Sequence, residues 1–112
     1  MSEQATTTTT LDLCSVDDIA AGEAKRFDRD GHRIAIVRID DDWYAIGDRC
    51  THADISLAEG DIDEDDRTIE CWKHGSLFSL ETGAALTLPA TRPTPTYAVR
   101  VEAGRVLVEV GS

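Results

Sequence analysis

The chain has too few cysteines to be a disulfide scaffold: three in 112 residues, an odd number. An unmatched thiol fits a reducing compartment. Basic residues are also scarce, 11 against 22 acids, giving a net charge of -11. Binding to phosphate needs the opposite sign, so nucleic acid is excluded as a partner, and so is an anionic membrane surface. Long apolar runs are missing. No segment approaches the ~20 residues that span a bilayer, and the first residues show neither the basic region nor the apolar stretch of a secretory signal. The expected state is a soluble, cytoplasmic monomer. The chain also lacks a Ser/His/Asp arrangement, a glycine-rich phosphate loop, an internal repeat and any long helical periodicity. No catalytic constellation is visible, and a length of 112 residues implies one domain.

What is present reads as short β-strands. Residues 1–10, with five consecutive threonines, have too little apolar surface to bury and are expected to be a disordered tail before a single domain at 11–112. Leu11–Cys14 alternates as a first strand, with Cys14 as a small apolar residue on it. Ser15, with Asp18 three residues later, is a capping pair for one turn of helix that Gly22 ends. Ala24–Phe27 and His32–Ile39 are strands joined across Asp28-Arg29-Asp30-Gly31, where Asp-Gly supplies the positive φ angles of a tight turn. After the turn at Asp40–Asp42, the strand Trp43–Gly47 runs toward Cys50. Thr68–Glu70 leads into Cys71, and Leu77–Leu80 leads out of His74. Pro93 and Pro95 keep the following segment extended. A final hairpin joins Thr96–Val101 to Arg105–Val110, with Val99, Val101, Val106, Val108 and Val110 on one buried face. The fold class is all-β, made of antiparallel strands.

Two short segments carry the chemistry: Cys50-Thr51-His52 and Cys71-Trp72-Lys73-His74. Each offers one soft anionic sulfur and one borderline nitrogen. Four such ligands on two loops suit a structural zinc or a [2Fe–2S] cluster with mixed ligation. The order of the ligands favours the cluster. Zinc sites commonly pair like with like, whereas here each loop holds one of each kind, so that two irons could be shared between the loops. Four protein ligands leave no open position for a substrate, so such a centre moves electrons rather than binding one.

These segments, extended as Cys71-Trp72-Lys73-His74-Gly75-Ser76 and joined by Leu88-Pro89-Ala90, resemble the Rieske [2Fe–2S] proteins over roughly Leu11 to Val110. The nearest likeness is to the small Rieske ferredoxins. The resemblance implies an antiparallel β-sandwich with a small cluster-binding lobe inserted at about 48–90. It implies one [2Fe–2S] cluster per chain, with Cys50 and Cys71 on the inner iron and His52 and His74 on the outer. It also implies that Ser76 donates a hydrogen bond to a cluster sulfur, and that the Pro89 loop covers a third side. The function implied is one-electron transfer from a flavoprotein reductase to a terminal oxygenase. An accessory role in iron–sulfur cluster assembly is the alternative within redox biology, and a zinc-stabilised interaction module is the alternative outside it.

The same likeness bears on the potential. Rieske centres fall between about −150 and +300 mV. High-potential members carry a disulfide across the cluster and a tyrosine donor. The corresponding positions here are Ile55 and Lys73, and Phe78, so a value toward the lower part of the range is expected. Charge acts in the same direction. Between Cys50 and His74 there are eight acids and two bases, a net of −6 and more than half of the total of -11. The run Asp63–Asp66 is either a solvated turn or a docking site for a basic partner. Trp72 is expected to pack over the lobe, the alternative being an exposed contact for a partner; Lys73 and His32 are expected to face solvent, and Gly75 to allow a backbone shape that a Cβ would hinder.

Overall fold

The computed structural model describes residues 8–29, 31–50, 55–73, 75–88 and 90–111. Among the described residues, nine strands form two antiparallel sheets: β1 (Thr8–Ser15), β2 (Glu23–Arg29), β3 (His32–Ile39), β4 (Asp42–Gly47), β5 (Asp61–Asp63), β6 (Thr68–Glu70), β7 (Leu77–Ser79), β8 (Thr96–Glu102) and β9 (Arg105–Gly111). The larger sheet runs β1-β9-β8-β4-β3-β2, and the smaller β5-β6-β7. In sequence the small sheet lies wholly between β4 and β8, as a lobe inserted into the larger one.

Local signals explain most of these elements. Ser15 caps a 3-10 turn, Val16–Asp18, by accepting from the Asp17 N–H at 3.2 Å, and the Asp18 carboxylate accepts from the Ser15 N–H at 2.9 Å. The β2–β3 hairpin pairs Arg29 with His32, and the next hairpin pairs Ile39 with Asp42 around a two-residue turn. Two expectations shift. β1 begins at Thr8, so Thr8–Thr10, expected as tail, pair with Glu109–Gly111 instead; residues 1–7 lie outside the described residues. β5 was not expected, because Asp61-Ile62-Asp63 carries a single apolar residue; it forms because Ile62 sits opposite Ile69.

The core is double, and β3 divides it. Ile34 and Ile36 face one cluster with Leu11, Phe27, Val106 and Val108. Ala35, Val37 and Ile39 face the other, with Leu57, Ile69 and Phe78 of the lobe. A strand buried on both faces reads as a continuous apolar run, which is why Ile34-Ala35-Ile36-Val37 shows no polar alternation. Of the valines expected on one buried face, Val106, Val108 and Val110 are buried and Val99 is half-buried, but Val101, at the turn end of the β8–β9 hairpin, is 42% exposed. Cys14 is buried in the first core, and loss of solvent there pushes its thiol pKa up, with Asp18 adding to the effect. His32 is half-buried rather than solvent-facing, with its ring edge-on to Tyr97 at 6.2 Å.

Candidate metal centre

Two loops leave the sheets where the second core meets the surface. The first leaves the end of β4. Its neck is closed by the Cys50 N–H, which donates to the Ile55 carbonyl at 2.9 Å. Behind Cys50, Asp48 is fully buried and accepts from the Ser56 hydroxyl and the Ala58 N–H, both at 2.6 Å. Its Oδ2 also lies 3.6 Å from Nε of both Arg26 on β2 and Arg33 on β3. Sequence reading missed this residue. An aspartate after an apolar strand looks like a surface turn, and only the return of Ser56–Ala58 across it buries the carboxylate.

The second loop joins β6 to β7. The Cys71 N–H donates to the Ser76 carbonyl at 2.8 Å, and the Gly75 N–H donates to the Cys71 carbonyl at 2.9 Å. Gly75 has φ +75°, the left-handed region that glycine enters without penalty, as expected. The lobe is also tight behind this loop. A Cβ on Gly60 would stand 1.9 Å from the Glu70 carbonyl oxygen, one residue before Cys71.

A third segment is laced to the second loop. Leu86 N–H donates to the Leu77 carbonyl at 2.7 Å, Leu77 N–H to the Thr87 hydroxyl at 2.8 Å, and Ala90 N–H to the Ser76 hydroxyl at 3.1 Å. Arg67 fastens the lobe to the larger sheet, donating to Asp42 Oδ2 at 3.0 Å and to the Tyr44 hydroxyl at 3.4 Å.

Cys50 and Cys71 meet in the same apolar core cluster, 1% and 0% exposed, and none of the three cysteines is in a disulfide. His52, His74 and Pro89 lie outside the described residues. Ser76 is fully buried, and its oxygen already accepts from Ala90. A hydroxyl has one proton to give, and among the described residues that proton has no acceptor. Trp72 does not pack over the lobe. It is 56% exposed, alongside Leu86 at 52% and Leu88 at 77%, and Lys73 is exposed as expected.

The outer face of the small sheet is acidic. Ile62, Ile69 and Phe78 point inward, so the neighbouring rows Asp61/Glu70/Leu77 and Asp63/Thr68/Ser79 point outward. The result is an open groove walled by Asp61, Asp63, Glu64, Asp66 and Glu70, with Leu77 and Leu86 beside them. Asp63 also organises the turn, its Oδ1 accepting from the N–H groups of Asp65 and Asp66 at 3.0 and 3.1 Å.

Residues 9–98 match the sequence profile of the Rieske [2Fe-2S] domain. The chain belongs to that family. This Rieske domain is 45% identical over 97 residues to the 3-phenylpropionate/cinnamic acid dioxygenase ferredoxin subunit of Escherichia coli K12, covering 87% of this chain and 90% of that one. Its structure superposes on the ferredoxin of carbazole 1,9a-dioxygenase from Nocardioides aromaticivorans IC177 with a TM-score of 0.85, at 34% identity over 89% of this chain and 96% of that one. A ferredoxin seen in a complex of reduced oxygenase and oxidized ferredoxin in carbazole 1,9a-dioxygenase gives a TM-score of 0.81, at 37% identity over 88% of this chain and 91% of that one.

The family fixes the cofactor as a [2Fe–2S] cluster and the role as that of an electron carrier, not a catalyst, and it removes the zinc alternative. The described residues fit that group: two buried thiols converge from two loops, and one buried hydroxyl proton beside them has no acceptor among the described residues. Among the described residues, no helix is long and apolar enough to cross a membrane.

Proposed function

We propose that this Rieske domain carries single electrons from a flavoprotein reductase to the terminal oxygenase of a dioxygenase system, as a soluble cytoplasmic monomer. Cys50 and Cys71 hold the inner iron of one cluster, and His52 and His74 hold the outer. When bound, the cluster supplies a site that accepts and returns one electron. The presence of Cys50 and Cys71, both buried, in one apolar cluster carries the reading. Their burial excludes water from the thiols. Kinship over nearly the whole chain to ferredoxin subunits of dioxygenases supports the choice of acceptor. Exposed Trp72 and Leu88, on the loops that flank the centre, provide the apolar contacts from which short-lived interfaces draw their affinity.

The test is a rapid-mixing experiment. Chemically reduced protein is mixed with the oxygenase component of a ring-hydroxylating dioxygenase under anaerobic conditions. Oxidation of the carrier should be saturable in oxygenase and reach one electron per chain. Oxidation no faster than in buffer with an inert protein would defeat the proposal.

Ser76 gives a prediction at the centre itself. Its hydroxyl oxygen accepts from Ala90, and its proton would be the one donated to a cluster sulfur. A hydrogen bond to a charged group contributes about 1.5–3 kcal/mol, and only the part that differs between redox states moves the potential. Ser76→Ala should therefore lower the potential by roughly tens of millivolts, since a tenfold change in a one-electron equilibrium is about 59 mV. It should also lower the melting temperature, because the Ala90 N–H loses its acceptor. Protein-film voltammetry reads the first effect. An unchanged or higher potential would mean that the hydroxyl donates elsewhere.

A further inference from the structure

We infer that Asp48 is a positioning residue for the first ligand loop and, through its charge, sets part of the reduction potential. The inference rests on the reading of Cys50 as a cluster ligand.

Asp48 is fully buried, and a buried carboxylate is tolerated only when it is paired and hydrogen-bonded. Here it is both. Ser56 and Ala58 donate to its two oxygens from the far side of the loop, at 2.6 Å each. Arg33 and Arg26 offset the charge from the sheet side, each with Nε at 3.6 Å, Arg26 being shared with Asp28, to which it donates two bonds of 3.2 Å. Asp48 is itself fixed to β3 by its N–H, which donates to the Arg33 carbonyl at 3.0 Å. One carboxylate thus joins β2, β3, the end of β4 and the segment Ser56–Ala58. The stretch from Cys50 to Ile55 is closed twice, by its own neck bond and by this clasp behind it.

A clasp of polar but neutral groups could hold the loop as well. The charge has a second consequence. Asp48 stands two residues from Cys50, out of reach of water, where an ionic interaction is weakened little by solvent or salt. Its negative charge opposes the addition of an electron to a centre held by Cys50. The two arginines favour that addition, and they are partly exposed, at 41% and 27% of the side chain, so solvent screens them more. The net field at the centre follows from this imbalance.

The experiment measures potential and cluster retention in the intact, cluster-loaded protein, with no partner present. Asp48→Asn keeps the shape but loses the charge and one acceptor position. It should shift the one-electron equilibrium three- to tenfold toward the reduced form, about 30–60 mV upward at 59 mV per tenfold. It should also release iron to a chelator severalfold faster. Arg26→Gln and Arg33→Gln should each shift the equilibrium in the opposite direction. Ser56→Ala, which loosens the clasp without changing charge, should speed iron release with a smaller shift in potential. Opposite signs for Asp48 and the arginines are what a merely structural clasp would not produce. An unmoved potential in an Asp48→Asn protein that holds its cluster overturns the inference. If that variant assembles no cluster, the two arginine variants decide: lowered potentials support the inference and unmoved ones overturn it. Failure here leaves electron delivery to an oxygenase standing, and failure of that delivery leaves these shifts measurable.

Discussion

Cys71→Ala should purify folded and without iron. The loop that carries Cys71 is held by its backbone: the Cys71 N–H to Ser76, the Gly75 N–H to Cys71, and the Ala90 N–H to the Ser76 hydroxyl. None of these bonds uses the thiol, so the loop should survive its loss. Replacing a buried thiol by a methyl group leaves a small cavity, of the kind that costs about 1 kcal/mol. The binding free energy of the metal group is lost as well, and with it the stabilisation that it gives the folded state. Melting temperature should therefore fall well below that of the parent, toward that of iron-depleted parent protein. Cys50→Ala should behave alike. Cys14→Ala is the control, because Cys14 lies in the other core, across β3 from the centre. The parent and Cys14→Ala should hold two irons and two labile sulfides per chain, with a Rieske-type EPR signal on reduction. Two irons retained in Cys71→Ala would remove Cys71 from the ligand set. Stoichiometric zinc without iron in the anaerobically purified parent would refute the assigned ligand chemistry altogether.

Reversing the charge of the acidic turn should slow capture of the protein by the proposed flavoprotein reductase about tenfold or more at low salt. Eight acids and two bases lie between Cys50 and His74, and the outer face of the small sheet gathers five of the acids around one groove. A surface of one sign beside the redox centre raises the rate of encounter with a partner of the other sign, by about 10–1,000-fold in strongly steered pairs. The structure dictates which residues to change. Asp63 holds the turn through the Asp65 and Asp66 N–H groups, so its replacement would confuse charge with fold. Glu64, Asp65 and Asp66 are exposed and can be changed to lysine with Asp63 kept. The parent's rate should fall as salt shortens the Debye length from about 30 Å to about 8 Å. The triple variant should start slow and respond little to salt, with its visible spectrum unchanged. Equal low-salt rates for parent and variant would make the turn a solvated loop. The exposed apolar residues Trp72, Leu86 and Leu88 would then be the surface to test.

The class of cofactor was legible before any coordinates. Cys50-Thr51-His52 and Cys71-Trp72-Lys73-His74 declare it because ligand identity and short-range spacing are properties of the chain alone. Hairpins were legible for the same reason. Asp-Gly at 30–31 and the Ser15–Asp18 capping pair act within a few residues, and both elements appear where they were expected. Gly75 was likewise readable from its place after the Cys71–His74 motif, and it has φ +75°.

What the chain alone did not determine is burial, which depends on segments distant in sequence. The run Ile34–Val37 is apolar at every position, and only the arrival of the lobe on one side and of β1 and β9 on the other shows that β3 divides two cores. β5 exists because Ile62 finds Ile69, although Asp61-Ile62-Asp63 by itself reads as polar loop. Trp72 is 56% and Val101 42% exposed, against their hydrophobicity. Asp48 is the clearest case. Its sequence neighbours mark it as a turn residue, yet Ser56, Ala58, Arg26 and Arg33 converge to make it the most deeply placed charge beside the centre. Ligand chemistry is local, so the sequence carries it outright; the environment that tunes it is assembled from four separate stretches of chain, and only their packing brings them together.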